Sequence, residues 1–177
     1  MATTKVCIKN VRISYAHLFK PEPIMGQGEP MYSVSILIPK NDEKNLKAVK
    51  AAIEEAKKSD KLAGVKRIDT PLHDGDEEKP DTAGYAGCYY LNAKANENHP
   101  PKIVDRHVDP IMDQDEVYSG CYCNIVVNMY GYNFNGHAGV GVGLGNVQKV
   151  KNGERLGGGA SDPEDDFTDL GEEDFLN

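Results

Sequence analysis

Residues 121–150 read CYCNIVVNMYGYNFNGHAGVGVGLGNVQKV. The first half alternates with a period of two. Cys121, Cys123, Ile125, Val127 and Met129 share one parity, while Tyr122, Asn124, Val126, Asn128, Tyr130, Tyr132 and Phe134 share the other. A β-strand sends successive side chains to opposite faces, so the first set reads as core and the second as an outward row of aromatics and amides. Asn135-Gly136 tolerates the left-handed backbone of a two-residue hairpin turn, and His137–Val150 reads as the returning strand. There Gly139, Gly141, Gly143 and Gly145 alternate with Val140, Val142 and Leu144. One face of that strand is apolar and the other has no side chains. Such a ladder marks either the close approach of a backbone or ligand, or the tight seam of a barrel. A phosphate-cradling loop fits less well, because the glycines continue as strand and do not open a helix.

Outward from this hairpin the chain stays β-rich. Residues 3–15 read as a strand whose alternation changes phase at Asn10, as a bulge at a barrel corner requires. Residues 20–30 carry Pro21, Pro23, Gly26, Gly28 and Pro30 and read as a loop. Residues 31–38 alternate again and stop at Pro39. A helix is predicted over 42–58, capped by Asn41 or Asp42, with Leu46, Val49, Ala52, Ile53 and Ala56 at helical spacing and Lys44, Lys47, Lys50, Lys57 and Lys58 around them. Residues 59–84 are broken by Pro71, Asp74-Gly75 and Pro80 and read mostly as loop. Its acids, Asp74, Asp76, Glu77 and Glu78, sit oddly beside a nucleic-acid groove, so the region is expected to face away or to be mobile. Strand signals return at 86–95 and weakly at 102–106, before a loop over 107–119 with a short turn at 113–118.

No βαβ alternation appears, which argues against a doubly wound sheet. The expected fold is mainly β: a small antiparallel, OB-fold-like barrel with one helix and one long hairpin. It occupies residues 1–156, and 157–177 form a Gly-rich linker and a disordered acidic tail.

The net charge of −8 conceals that division. From Asp162 onward there are eight acids and no base; removing them from the total of 28 leaves 20, against 20 Lys and Arg. The body is neutral and the tail carries the excess, a pattern of interaction tails. Phe167, Leu170, Phe175 and Leu176 punctuate those acids. A purely solvating tail has no use for them, so Phe167, Asp174, Phe175 and Leu176 read as a docking peptide for a partner protein. No stretch of about 18 apolar residues spans a membrane, and no apolar leader follows Met1, so a cytoplasmic protein is expected.

The outward row carries the chemistry. Aromatics on an open sheet face stack bases at about 1–3 kcal/mol each without reading sequence. Tyr122, Tyr130, Tyr132 and Phe134 are the candidates on the hairpin, with Tyr89 on an earlier strand. Phosphate contacts need cations spread along a groove; Lys5, Lys9, Arg12, Lys94, Lys102, Lys149 and Lys151 fit. The four cysteines, Cys7, Cys88, Cys121 and Cys123, read as free thiols. Cys121-x-Cys123 lacks the paired spacing of a zinc site. Neither metal nor cofactor is expected.

Two segments resemble a known family. These are YSVSILIPK (32–40) leading into the Lys-rich helix, and GLGNVQKVKNGERLGGG (143–159). Together with the acidic tail ending Asp-Phe-Leu-Asn, they look like a phage single-stranded DNA-binding protein family, formerly of unknown function. The resemblance covers most of the chain. It implies an OB-fold protein that coats single strands in phage DNA replication or recombination inside the host cytoplasm. It also implies a tail that recruits replication proteins such as a polymerase or helicase, and no catalysis. Because the tail is a tethered polyanion, it is expected to compete with DNA. The oligomeric state stays open, a homodimer included. Two other readings remain: a protein-bridging module without a DNA role, and a metal-dependent nuclease built on Asp105, Asp109, Asp113, Asp115 and Glu116.

Overall fold

The computed structural model describes residues 3–24, 27–134 and 136–156. The linker and the tail residues Phe167, Asp174, Phe175 and Leu176 lie outside the described residues. Seven strands form one sheet: β1 (Lys5–Ile24), β2 (Gln27–Pro39), β3 (His73–Asp74), β4 (Cys88–Asn96), β5 (Ile103–Val104), β6 (Tyr122–Phe134) and β7 (His137–Lys151). The sheet order is β3-β4-β2-β1-β6-β7-β5, and a further parallel pairing of Lys94 with Gly143 joins β4 to β7. That contact closes β1, β2, β4, β7 and β6 into a five-stranded, OB-fold-like barrel, as the sequence predicts.

Closure depends on bends in β1. Asn10 has φ 54°, and the β1–β6 register slips between Ile8 and Val11, so the expected bulge lies where the alternation changes phase. A second left-handed residue, Tyr15 at φ 48°, coincides with a slip against β2 between Ser14 and His17. Each conformation is costly for an L-residue, and each re-aims the strand around the barrel. The loop expected at 20–30 is instead the end of a hairpin. Glu22 pairs with Met31, Pro23 with Pro30 and Ile24 with Gln27. The prolines are tolerated because the ladder is already irregular there, with slips on either side of Glu22–Pro23.

The barrel interior is filled by the predicted core parity of β6 together with Ile8, Val11, Ile13, Val34, Ile36, Ile38 and Leu91. Burying each large aliphatic side chain contributes about 1.5–3 kcal/mol. Helix α1 (Glu43–Ala56) begins where expected. The Asp42 side chain accepts from Asn45 N, and Leu46, Val49, Ala52, Ile53 and Ala56 pack onto the barrel core. Asn45 ties the helix to the β1 bulge by donating to Lys9 O at 2.8 Å and accepting from Lys9 N at 3.1 Å.

Residues 59–87 are more ordered than their composition suggests. They hold a 3-10 turn (Asp60–Leu62), β3 and a second short helix, α2 (Gly75–Glu78), capped by the Asp74 side chain. One helix was expected; the Asp-Gly pair that reads as a turn instead starts a helical turn. This excursion buries Tyr85 and Tyr90 with Leu37 and Leu156 in a small cluster outside the barrel. Lys40 anchors it by reaching Asp74 at 2.9 Å and Asp76 at 2.8 Å.

Candidate nucleic-acid interface

The hairpin register places the glycine ladder beside the aromatic row. Asn128 pairs with Gly143, Tyr130 with Gly141, Tyr132 with Gly139, and Phe134 with His137. A Cβ built on Gly141 would lie 2.5 Å from Tyr130 Cζ, and one on Gly139 would lie 2.8 Å from the Tyr132 Oη. The glycines therefore make room for tyrosine rings that reach across β7. At Gly139 and Gly145 backbone also approaches, from Asp69 O at 2.6 Å and Val126 O at 2.8 Å. Of the two readings of the ladder, close approach applies along 139–141, while at Gly145 the neighbour is the adjacent strand where the β6–β7 register slips between Ile125 and Val127.

The result is a groove of about 810 Å³. Its floor is Val140–Val142 of β7. Tyr130 and Tyr132 of β6 form one wall, Asn92 and Lys94 of β4 the other, and Ile68–His73 crosses one end. That crossing segment is pinned by Asp69 N donating to Ala138 O and by Val140 N donating to Asp69 O. Ile68–His73 of the 59–84 excursion thus lines the groove and does not face away, while Asp74, Asp76, Glu77 and Glu78 are not among the lining residues. Its acids are partly neutralised: hydrogen bonds from Lys40 hold the Asp74 and Asp76 carboxyls below the usual aspartate value. Burial raises the Tyr130 phenol, so it stays neutral.

Of the residues proposed from sequence, Tyr130, Tyr132 and Lys94 meet in this groove. Phe134 stands 71% exposed at the hairpin tip. Lys5 pairs with Asn128 beside the row. Lys9 is exposed at the bulge, and Lys102 is exposed near β7, where its N–H donates to Asn146. Tyr89 lies apart. It pairs with Asp74, packs against the core and carries the ammonium groups of Lys40 and Lys50 over its ring at 5.3 and 5.7 Å. Tyr122, Arg12, Lys149 and Lys151 gather at the other end of β6. Sequence reasoning missed Asn92 and Ile68–His73, which only the closure of β4 onto β7 brings to the groove. It also missed Tyr118, whose cationic neighbours Lys149 and Arg155 come from a distant segment.

Two acids of the nuclease reading, Asp105 and Asp113, serve the backbone. Asp105 accepts from His107 N and Asp109 N, which lowers its pKa, and Asp113 accepts from Asp115 N. Cys121 and Cys123 point into the core with their sulfurs 3.7 Å apart. Among the described residues, no three His, Cys, Asp or Glu side chains converge on a metal position, and no helix is long and apolar enough to cross a membrane.

Comparison with known proteins agrees with this fold. Protein p50 of Acyrthosiphon pisum secondary endosymbiont phage 1 is 35% identical over 178 residues, covering 94% of each chain. The single-stranded DNA-binding protein of bacteriophage Enc34, solved in complex with single-stranded DNA, superposes with a TM-score of 0.77 at 27% identity, covering 87% of this chain and 90% of that one. Bacteriophage T7 gp2.5, a single-stranded DNA-binding protein, shares the fold at a TM-score of 0.59 and 19% identity, covering 96% and 99%. The profile of the Enterobacter phage Enc34 single-stranded DNA-binding protein matches residues 4–176, and the chain belongs to that family.

Proposed function

We propose that this protein binds single-stranded DNA without sequence preference, stacking bases on Tyr130 and Tyr132 in the glycine-floored groove. The observation that carries the reading is the meeting of two tyrosines and Lys94 over a strand segment that presents glycine at Gly139, Gly141 and Gly143. A base has a π-face whatever its identity, so a ring platform binds any sequence. Lys94 on the opposite wall and Lys5 beside the row supply phosphate contacts. Support comes from the family, which is not an enzyme family, and from the Enc34 protein's complex with single-stranded DNA.

The barrel, 1–156, acts in phage DNA replication or recombination. The tail, 157–177, recruits replication proteins through Phe167, Asp174, Phe175 and Leu176 and competes with DNA for the basic surface. The test is fluorescence anisotropy with labelled oligothymidylate and a matched duplex, for the full chain, a 1–161 truncation, and Tyr130→Ala and Tyr132→Ala. Each substitution is expected to cost about 1–3 kcal/mol of single-strand affinity, while the truncation strengthens binding by removing a tethered competitor. A full chain and a truncation that both ignore single strands at low salt would overturn the proposal.

A further inference from the structure

The cations of the barrel differ in what neutralises them. Lys40, Lys57, Lys58 and Arg67 each have a carboxylate within 4.0 Å. Among the described residues Arg12, Lys149, Lys151 and Arg155 have none. They lie over tyrosine rings instead. Arg12 and Lys151 are 5.8 and 4.7 Å from the centre of Tyr122, and Lys149 and Arg155 are 5.6 and 4.4 Å from that of Tyr118. Asp115 and Glu116 share the rim of the shallow cleft beside Lys149 and Arg155 without coming into ion-pair range.

The rings are firmly placed. Tyr118 Oη donates to Gly153 O at 2.8 Å and accepts from Gly153 N at 3.1 Å. Gly153 packs so closely on Tyr122 that a Cβ there would meet Cε2 at 2.9 Å. Arg12 is fixed as well, its Nε donating to Gly120 O at 3.2 Å and its Nη2 to Glu154 O. A ring face attracts a cation but leaves its charge uncancelled. Two rings therefore gather four like charges that repel one another until an anion joins them.

We propose that Arg12, Lys149, Lys151 and Arg155 form a phosphate-binding station for the DNA backbone, with Tyr118 and Tyr122 as positioning residues that hold the cations. Tyr122 then acts through its neighbours and does not stack a base, which changes its role from that expected of the aromatic row. The station rests on the single-strand reading and extends it. Tyr122 precedes Tyr130 by eight residues on the same face of β6, which at about 3.3 Å per residue puts the station roughly 26 Å from the groove. A strand bound in the groove reaches the station along the outer face of β6.

The experiment is the salt dependence of binding to labelled oligothymidylate by the full chain. The triple variant Lys149→Gln, Lys151→Gln, Arg155→Gln is compared with a control of equal charge change on helix α1, Lys44→Gln, Lys47→Gln, Lys50→Gln. Each phosphate contact contributes about 0.7 to the slope of log affinity against log salt, so the station variant should be shallower by about two. The control should keep the wild-type slope. Tyr122→Phe, which keeps the ring, should match wild type, while Tyr122→Leu should flatten the slope; a merely structural role would lower stability without changing it. A station variant with the wild-type slope, or a control flattened equally, overturns the station while the single-strand reading stands. A wild-type chain that does not bind at the lowest salt overturns both.

Discussion

Replacing Gly141 by alanine tests whether the glycine ladder exists to seat Tyr130. The new methyl group would lie 2.5 Å from Tyr130 Cζ, 2.6 Å from its Oη and 2.8 Å from its Cε2. All three atoms belong to the far end of a side chain that is 39% exposed. The ring gives way and the backbone stays. Two effects on stability oppose each other. Losing glycine's freedom in the unfolded chain stabilises by about 0.4–1 kcal/mol, and the displaced ring gives up packing of similar size. The urea midpoint should therefore move by no more than about 1 kcal/mol equivalent. Single-strand affinity should fall much further, by about 1–3 kcal/mol for one lost stacking platform, or roughly 5- to 150-fold. The decisive arm is a double-mutant cycle. With Tyr130→Ala already present, Gly141→Ala should change affinity by less than about 0.5 kcal/mol, because nothing remains for the methyl to displace. Gly143→Ala is the neutral comparison, since its nearest neighbour is Asn128 O at an ordinary 3.4 Å. An equal loss of affinity with and without Tyr130, or a well-folded Gly141→Ala that binds like wild type, would refute the seating role.

Three further outcomes follow from the geometry. The Asp74 and Asp76 carboxyls are held down chiefly by their hydrogen bonds from Lys40. A folded-state pKa below the unfolded one means that the stabilisation is complete above the ordinary aspartate value of about 3.9 and fades as pH falls through the folded value. Lys40→Met should weaken the fold at neutral pH and flatten its acid limb, read from denaturation midpoints over a pH series; an unchanged acid limb counts against the clip. Native thiol labelling should modify exposed Cys7 first and spare Cys121 and Cys123 until the barrel opens, because both are buried and the hydrogen bond between them, with burial, pushes Cys123 up. Rapid modification of either core thiol would contradict that. Asn10→Val should cost about 1–2 kcal/mol, since a β-branched residue resists the left-handed conformation, whereas Asn10→Gly should be nearly neutral; equal midpoints for the two would show that the bulge relaxes.

The barrel was legible where a single strand carries its own periodicity. The two faces of β6, the antiparallel return of β7 and the capped face of α1 are local patterns, and the structure reproduces them. The hairpin at 20–30 was not legible, because Pro and Gly in that density mark a loop unless a partner strand supplies an irregular ladder for Pro23 and Pro30 to sit in. Nor was the order within 59–87. It depends on Lys40 reaching Asp74 and Asp76, and on Tyr85 and Tyr90 finding Leu37 and Leu156, pairs far apart in sequence. The groove shows the same division. Period-two reasoning puts Tyr130 and Tyr132 on one face, but only the parallel Lys94–Gly143 contact brings β4 opposite them.

Charge separates the two ends of the molecule more sharply than any count. A body with equal numbers of acids and bases has no net pull on DNA, yet many of its acids are already committed. Asp42, Asp74 and Asp113 cap helical turns, Asp105 closes a loop, and Glu54, Glu55, Asp74 and Asp76 face lysines. Those roles cluster around α1, α2 and the 105–115 loop. The cations at the start of β6 and the end of β7 rest on tyrosine faces, which orient them without cancelling them. A neutral barrel thereby presents a locally positive surface, and long-range attraction depends on that local field more than on the sum. An acidic tail on the same chain is therefore no obstacle to the proposed binding of a polyanion.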